Sequence, residues 1–230
     1  MRYTWLGHAS IRLEIGDQVL LIDPWLDDNP SFPNDRRDDA IAGATAILVT
    51  HAHFDHVNDV VSVAKDRDLP VYAIVELAAW LDAQGLKATG FNKGGTVQIG
   101  NVAVTMVAAT HSSSIILSDG PSQYMGEGAG YMIAGEGRTV YVSGDTDVMA
   151  DMAIWNEFHG PTIGILCAGG HFTMDMKRAA YAASKLFSFK TVIPVHYKTF
   201  GLLAQSADDL IAALPDGVVQ APEVMETIDL

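Results

Sequence analysis

Three histidines and one aspartate lie within six positions of this chain, in the pattern His-x-His-x-Asp-His. They are His51, His53, Asp55 and His56. The apolar run 47–49 precedes them and predicts a buried strand, so the polar side chains follow the end of that strand. Imidazoles and a carboxylate are ligands for a borderline divalent cation such as zinc. The alternative, a solvated loop that is rich in histidine by chance, does not explain the spacing.

Ligand-type residues also follow four later apolar runs, each of which predicts a strand. They are His111, Asp145, His171 and His196. The ends of strands are where α/β-type sheets present their ligands. A single histidine at such a position is most often an ordinary loop residue. Several of them, together with the His-x-His-x-Asp-His motif, favour a metal centre built from distant parts of the chain.

The elements that must position these residues begin with strands. A β-meander is predicted at the start of the chain, with strands over 2–6, 10–15 and 18–23. Apolar and polar residues alternate in the second run, and Gly-Asp marks a turn before the third. A helix is predicted over 57–68, directly after the motif. Strands and helices then alternate along the rest of the chain. This order predicts sheets that are covered by helices on their outer faces.

The two halves of the chain, taken as 1–110 and 111–230, have similar element content. Meanders and hairpins alternate with β–α units, which favours a four-layer αββα sandwich of the α/β class over a doubly wound sheet. Two polar or glycine-rich segments, 27–40 and 112–130, are predicted to be loops near the site. Substrate specificity is expected to lie in these two segments.

Composition narrows the class of protein. The chain has 230 residues, of which 49% are hydrophobic, and we expect one domain over 1–230. Its formal net charge of −14 argues against non-specific binding to nucleic acid. Cys167 is the one cysteine, so no intramolecular disulfide is expected. The sequence shows neither a signal peptide nor a membrane-spanning run, so a cytoplasmic protein is expected.

The order of the motifs over almost the whole chain resembles the metallo-β-lactamase superfamily. The motifs are Asp23 in Leu-Ile-Asp-Pro, the His-x-His-x-Asp-His segment, His111, Asp145 in Ser-Gly-Asp-Thr, and His196. Three shorter segments resemble the compact bacterial and archaeal metal-dependent hydrolases, which are related to the ascorbate-phosphate lactonase group and to N-acyl-phosphatidylethanolamine phospholipase D. These segments are Trp-Leu-Gly-His-Ala at 5–9, Gly-Gly-His-Phe-Thr-Met at 169–174 and Pro-Val-His-Tyr-Lys-Thr-Phe at 194–200.

The resemblance implies two divalent metal ions, each with an open position for water. The implied ligands are His51, His53 and His111 for one ion, Asp55, His56 and His196 for the other, and Asp145 as a bridge. Zn²⁺ is the expected metal, and Mn²⁺, Fe²⁺ and Ni²⁺ are alternatives. The β-lactamases of the superfamily often use a cysteine ligand. Cys167 lies inside a predicted strand instead, which argues against β-lactam hydrolysis.

A hydroxide that bridges the two metals would attack a carbonyl carbon or a phosphorus atom. The predicted reaction is therefore hydrolysis of an ester, lactone or phosphodiester bond in a small molecule. Asp55 would also orient the nucleophile or shuttle its proton. His171, which follows two glycines, is the candidate for binding substrate or donating a proton to the leaving group.

Three further residues are candidates outside the ligand set. We predict that Asp23 fixes the orientation of a histidine ligand, the alternative being an Asp-Pro turn. His8 lies in a Gly-His-Ala-Ser turn, where it either makes a hydrogen bond behind the ligands or contacts substrate. Tyr197, next to His196, is a candidate substrate contact, although an aromatic residue after a strand more often packs in the core.

Two other functions use the same ligands. A nucleic-acid phosphodiesterase is disfavoured by the net charge and by the lack of lysine and arginine clusters. A diiron redox or sensor protein remains an alternative because the complete set of predicted ligands could hold iron. No flavin domain follows the predicted metal site in the sequence, which argues against it. We expect a small-molecule substrate, no nucleic-acid partner and no membrane partner. A homo-oligomer is also expected, since a neighbouring subunit often completes a cleft rimmed by loops.

Overall fold

The computed structural model describes residues 1–116 and 120–230. In these residues the strands are β1 (Arg2–Trp5), β2 (Ile11–Ile15), β3 (Gln18–Ile22), β4 (Ala46–Leu48), β5 (Val71–Ile74), β6 (Ala88–Phe91), β7 (Thr96–Ile99), β8 (Val102–Ala108), β9 (Ser114–Ile116), β10 (Ser122–Tyr124), β11 (Ala129–Gly135), β12 (Arg138–Val142), β13 (Ile163–Cys167), β14 (Thr191–Val195) and β15 (Thr227–Asp229). The α-helices are α1 (Arg37–Ile41), α2 (Phe54–Val57), α3 (Val60–Arg67), α4 (Val75–Ala83), α5 (Asp151–His159), α6 (Met176–Tyr181) and α7 (Asp208–Ala213). A short 3₁₀ helix (Asn34–Arg36) precedes α1, and a π-helical segment (Ala182–Leu186) follows α6.

The described strands form two large mixed sheets. The first has the order β15-β1-β2-β3-β4-β5-β6, and the second has the order β14-β13-β12-β11-β8-β7. Each sheet joins an antiparallel meander to a run of parallel strands, β3 to β6 in the first sheet and β12 to β14 in the second. Both runs need crossover helices, which is why β–α units follow the meanders in the sequence.

The two sheets pack face to face around one apolar core. The alternating strand β2 buries Ile11, Leu13 and Ile15, whereas β4 and β13 are buried at every position, as strands covered on both faces must be. The phenol of Tyr131 on β11 donates a 2.5 Å hydrogen bond to the Val49 carbonyl beyond β4, which joins the sheets directly. The predicted four-layer αββα sandwich is confirmed.

The division of the chain between the two sheets does not fall at residue 110. The second sheet begins with β7 at Thr96, before residue 110, and β15 near the carboxyl terminus returns to pair with β1. The similar element content of residues 1–110 and 111–230 does not show which sheet a strand joins. Strand pairing is a non-local property, and the register Arg2 to Asp229 joins opposite ends of the chain.

The helix predicted over 57–68 corresponds to α3, which begins at Val60 and ends at Arg67. The separate short helix α2 precedes it, and Asn58 and Asp59 lie between the two helices. The Asp59 carboxylate turns away to accept hydrogen bonds from the backbone N–H groups of Leu26 (2.7 Å) and Asp27 (2.9 Å). A carboxylate that serves a neighbouring loop in this way competes with a continuous helix. Asp59 therefore ties the segment after β3 to the segment that carries the ligands.

The two predicted loops contain regular structure. The segment 27–40 includes the 3₁₀ helix and most of α1, which buries Ala40 and Ile41 against the core. The segment 112–130 includes the hairpin β9–β10 and the start of β11. Residues 117–119 of that segment lie outside the described residues. Within 1–116 and 120–230, no helix is long and apolar enough to cross a lipid bilayer.

Candidate metal centre and active-site cleft

The predicted ligands meet at one edge of the sandwich, beyond the ends of strands from both sheets. The first sheet supplies the motif after β4, and the short helix α2 carries Asp55 and His56. The second sheet supplies His111 after β8, Asp145 after β12 and His196 directly after β14. The centre therefore forms only when the two sheets pack.

Asp145 lies at the middle of the ligand cluster. Its Oδ2 atom is 3.0 Å from His196 Nε2, 3.3 Å from His56 Nε2, 3.5 Å from His111 Nε2 and 3.8 Å from His51 Nε2. The carboxylate thus contacts imidazoles of both predicted ligand sets, which is the position a bridging ligand needs.

One ligand set consists of His51, His53 and His111. The Nδ1 atom of His53 lies 3.0 Å from His51 Nε2 and 3.2 Å from His111 Nε2. Two nitrogens that bind one tetrahedral zinc ion at about 2.0 Å would lie roughly 3.3 Å apart. The three ring nitrogens are therefore close enough to share one ion.

The other set consists of Asp55, His56 and His196, and His8 lies next to it as a hydrogen-bond partner of Asp55. Asp55 Oδ2 lies 3.7 Å from His196 Nε2 and 3.9 Å from His56 Nε2. His8 Nε2 lies 2.8 Å from the same oxygen, and one ligand atom from each of the four residues lies within 4.8 Å of the others. This set can hold a second cation.

Several ligand atoms have no hydrogen-bond partner in the described part of the chain although they are buried. They are His56 Nε2, Asp145 Oδ1 and both ring nitrogens of His196. An unpaired buried polar atom carries a desolvation cost of about 1–3 kcal/mol, so such atoms are rarely left without a partner. A cluster of them, all of metal-ligand type, fits a bound cation.

The electrostatics of the cluster also suit cations. Burial lowers the pKa values of His51, His53 and His111, which leaves their lone pairs free at neutral pH. Burial also opposes the charged form of His196, but the Asp145 carboxylate outweighs it and raises the pKa of His196 to about 9. The carboxylate thus draws positive charge to the centre of the cluster.

Asp23 lies behind the ligands, as predicted for a residue that fixes their orientation. Its Oδ2 atom is 2.8 Å from His56 Nδ1 and accepts a 2.5 Å hydrogen bond from the Thr50 hydroxyl, and its Oδ1 accepts from the Thr50 backbone N–H at 2.7 Å. A bond from His56 Nδ1–H to the carboxylate directs the Nε2 lone pair toward the cluster. Thr50 Oγ1 also lies 3.1 Å from His51 Nδ1.

The backbone is held in an unusual conformation at several of these positions. His8, Asp23, His171 and His196 have φ values of +52°, +49°, +56° and +62°. Left-handed backbone costs a non-glycine residue roughly 1–3 kcal/mol and concentrates at functional sites. A Cβ atom on Gly169 would lie 1.8 Å from the His196 carbonyl oxygen, so only glycine allows this close approach.

His171 and Tyr197 lie apart from the cluster. His171 is exposed, and its ring packs edge-on against Phe172 with a centroid separation of 4.4 Å. Tyr197 is buried and stacks on Trp5 at 5.0 Å. His8 is fully buried, which fits the predicted hydrogen bond rather than substrate contact. A catalytic role for His171 stays a prediction.

A cleft of about 710 Å³ opens onto the centre. His53, Asp55, His111, Asp145 and His196 line it, together with the small or polar residues Ala52, Asn58, Ser112 and Ser114. The rest of its described lining is apolar and is called the apolar wall below: Phe54, Val57, Val61, Trp80, Ile115, Ile116, Phe172, Phe200 and Leu202.

Comparisons with known proteins agree with this site. A family model described as the beta-lactamase superfamily domain matches residues 18–197. A UPF0173 metal-dependent hydrolase of Dinoroseobacter shibae is 62% identical over the full length of both chains, and one of Paracoccus denitrificans is 60% identical over the same extent. This chain belongs to the UPF0173 metal-dependent hydrolases. Membership of this family confirms the predicted superfamily, the metal dependence and the assignment as a hydrolase.

A solved structure is similar to the present chain in fold as well as in sequence. Igni18, a metallo hydrolase from the hyperthermophilic archaeon Ignicoccus hospitalis, has a TM-score of 0.85 and 28% sequence identity. The match covers 99% of this chain and 97% of that one. The metallo-β-lactamase fold of the present chain is therefore confirmed.

Sequence reasoning missed two kinds of site residue. Thr50 and Gly169 support the ligands, and their only signal in the sequence was their position directly beside predicted ligand segments. The apolar wall was missed entirely. Its residues come from α2, α3, α4, β9 and the segments after β13 and β14, and no spacing in the sequence relates them.

Proposed function

We propose that this metal-dependent hydrolase uses two divalent metal ions, with Zn²⁺ the first choice, to cleave an ester, lactone or phosphodiester bond in a small molecule. The single observation that supports it best is the position of Asp145, whose Oδ2 lies within 3.0–3.8 Å of four imidazole nitrogens drawn from both ligand sets. One carboxylate among that many lone pairs suits two cations better than one.

In this proposal His51, His53 and His111 would hold one ion, and Asp55, His56 and His196 would hold the other. Asp145 would be shared by both. When bound, such ions would lower the pKa of a coordinated water to about 7 and would polarise the scissile group. The protein's own part is to hold the ligands rigidly. Asp23 orients His56 through the 2.8 Å contact, and Gly169 lets the backbone at His196 pack closely.

Asp55 has a second proposed task, which is to orient the attacking water. Its Oδ2 contacts His8, while the residue as a whole lines the cleft. His171 remains the proposed proton donor to the leaving group or a substrate contact. It is exposed, and its neighbour Phe172 lines the cleft. A small molecule is the proposed substrate, because a net charge of −14 repels the phosphate backbone of nucleic acid.

The proposal is tested by metal analysis together with a hydrolase screen. Protein purified without chelator should contain close to two transition-metal ions per chain by inductively coupled plasma mass spectrometry. It should hydrolyse at least one carboxylic ester, lactone or phosphodiester, and dialysis against a chelator should abolish that activity. One metal ion per chain at saturation would contradict the dinuclear centre, and an inert two-metal protein would contradict the bond type.

A further inference from the structure

The chemistry of the cleft narrows the substrate beyond the bond types proposed above. The apolar wall supplies most of the described lining, and its members Phe54, Ile116, Phe172 and Leu202 are 58%, 78%, 51% and 65% exposed. Exposed apolar side chains grouped around a concave site mark a binding surface. Their contact with water is removed only when an apolar group of a ligand covers them.

Outside the metal centre, the described part of the cleft has no lysine or arginine side chain. Residues 117–119 are Leu, Ser and Asp in the sequence. The acidic groups that line the cleft are the carboxylates of Asp55 and Asp145, which belong to the metal centre together with His196. A negative group on the substrate, away from the metal centre, would therefore have no cation to pair with and would lie in a field set by a net charge of −14.

The polar residues of the described lining that lie outside the metal centre are neutral. Asn58, Ser112 and Ser114 line it, and each can exchange a hydrogen bond with a neutral oxygen of a ligand. A few neutral polar groups in an otherwise apolar pocket are the usual arrangement for orienting an uncharged ligand. Away from the metal centre, the described lining thus suits an apolar body and a neutral carbonyl, and it offers no cation to pair with a phosphate.

We propose that the cleft takes a neutral carboxylic ester or lactone whose chain or ring is apolar, a proposal that rests on the hydrolase function proposed above. In the reaction, the acyl C–O bond breaks, the oxygen of water bonds to the acyl carbon, and a proton goes to the leaving oxygen. The products are a carboxylic acid and an alcohol, or a hydroxy acid from a lactone. The apolar wall would hold the chain or ring and leave the carbonyl at the metal centre, which Asp55, Asp145 and His196 line.

A kinetic test uses p-nitrophenyl esters that differ only in the acyl chain. Each methylene that enters the apolar wall should raise kcat/KM roughly threefold to fourfold until the cleft is filled. The octanoate should therefore exceed the acetate at least about tenfold. A matched pair isolates charge: p-nitrophenyl hexanoate should exceed the p-nitrophenyl monoester of adipic acid, which has the same chain length and a terminal carboxylate, by at least about tenfold.

A binding test needs no turnover. The neutral fluorophore N-phenyl-1-naphthylamine should bind the metal-loaded protein with increased fluorescence. At low temperature, p-nitrophenyl octanoate should displace the fluorophore before the ester is hydrolysed. Phe172→Asp and Trp80→Ala should each weaken binding of the fluorophore at least about fivefold. Phe158→Asp is the matched control, since Phe158 is 80% exposed on α5 outside the cleft, and it should leave binding unchanged.

The outcomes separate the two proposals. The proposal of an apolar substrate is overturned if the enzyme prefers the acetate or the adipate monoester. It is also overturned if Phe172→Asp and Trp80→Ala leave fluorophore binding unchanged. Either result leaves the hydrolase function standing. Faster cleavage of bis(p-nitrophenyl) phosphate than of the octanoate also overturns the proposal of an apolar substrate. Strong fluorophore binding with no turnover of any ester, lactone or phosphodiester contradicts the proposed hydrolytic function and supports the apolar selectivity of the cleft.

Discussion

His8 Nε2 lies 2.8 Å from Asp55 Oδ2, and both groups are buried. On the other side of the ring, His8 Nδ1 lies 3.0 Å from the Thr199 hydroxyl. Burial and the neighbouring His196 lower the pKa of His8 to about 4, so its imidazole is neutral at pH 7. A neutral ring that donates from Nε2 to Asp55 accepts from Thr199 at Nδ1, which fixes both the tautomer and the direction of the carboxylate.

His8 should therefore act on the metal through Asp55. We expect His8→Ala to weaken binding of the second zinc ion about 10–100-fold, as loss of a hydrogen bond behind a ligand typically does. Thr199→Val should weaken it less, and Thr199→Ser, which keeps the hydroxyl, should restore it. Competition with a chromophoric chelator measures both affinities. An unchanged second affinity in His8→Ala would show that Asp55 needs no support.

Asp145→Ala should reduce the metal content. Its carboxylate contacts imidazoles of both ligand sets, so its removal should lower the stoichiometry from two ions per chain to one or none. Asp147→Ala is the matched control, because Asp147 is exposed, lies two positions along and pairs with Arg178 at 3.3 Å. Metal analysis of the two variants after identical loading decides the matter, and equal contents would contradict the bridging position.

His171→Ala should keep its metal and lose activity. The side chain is exposed and is not among the clustered ligands, so loading should match that of the unaltered protein. A proton donor or substrate contact at this position should contribute about 10²-fold to kcat. His159→Ala, at the end of α5, serves as the control histidine. Loss of metal in His171→Ala would make this residue a ligand, and unchanged turnover would remove it from the reaction.

Metal removal should destabilise the fold. A ligand present at 1,000 times its Kd stabilises a protein by about 4 kcal/mol, and about 1 kcal/mol shifts the Tm of a chain of this size by roughly 2–4 °C. We expect the chelated protein to unfold about 10 °C below the zinc-loaded one in calorimetry, with full recovery on adding zinc. The gap should shrink in Asp145→Ala. Identical transitions with and without zinc would indicate that the buried ligand atoms do not bind it.

Cys167 should be unreactive in the folded protein. It is buried in β13, and burial raises the pKa of its thiol to about 11. Because the thiolate forms only as the pH approaches that value, the thiol stays protonated at pH 8 and reacts poorly. Ellman's reagent at pH 8 should label the native protein far more slowly than protein in denaturant, where the thiol pKa returns to about 8.5. Fast labelling of the native state would show that β13 opens readily.

The clustering of the candidate ligands could be predicted from the sequence because each is a chemically distinctive residue that follows an apolar strand. The His-x-His-x-Asp-His segment, Asp145 and His196 all have this local signature. Helix and loop boundaries were harder to predict. Asp59, which lies between α2 and α3, accepts hydrogen bonds from backbone N–H groups more than thirty positions away, a contact that no local window contains.

The sequence by itself determined the metal dependence, the alternation of strands and helices and the family. Residue type, periodicity and motif order are all visible in the sequence without knowledge of which segments pack together. Only the tertiary structure decided what surrounds the metal centre. His8 faces Asp55 across 47 positions, and Phe172 joins Trp80 in one apolar wall, because packing of the two sheets brings distant segments together. Such neighbours depend on the summed burial of the whole core, and no short stretch of sequence encodes them.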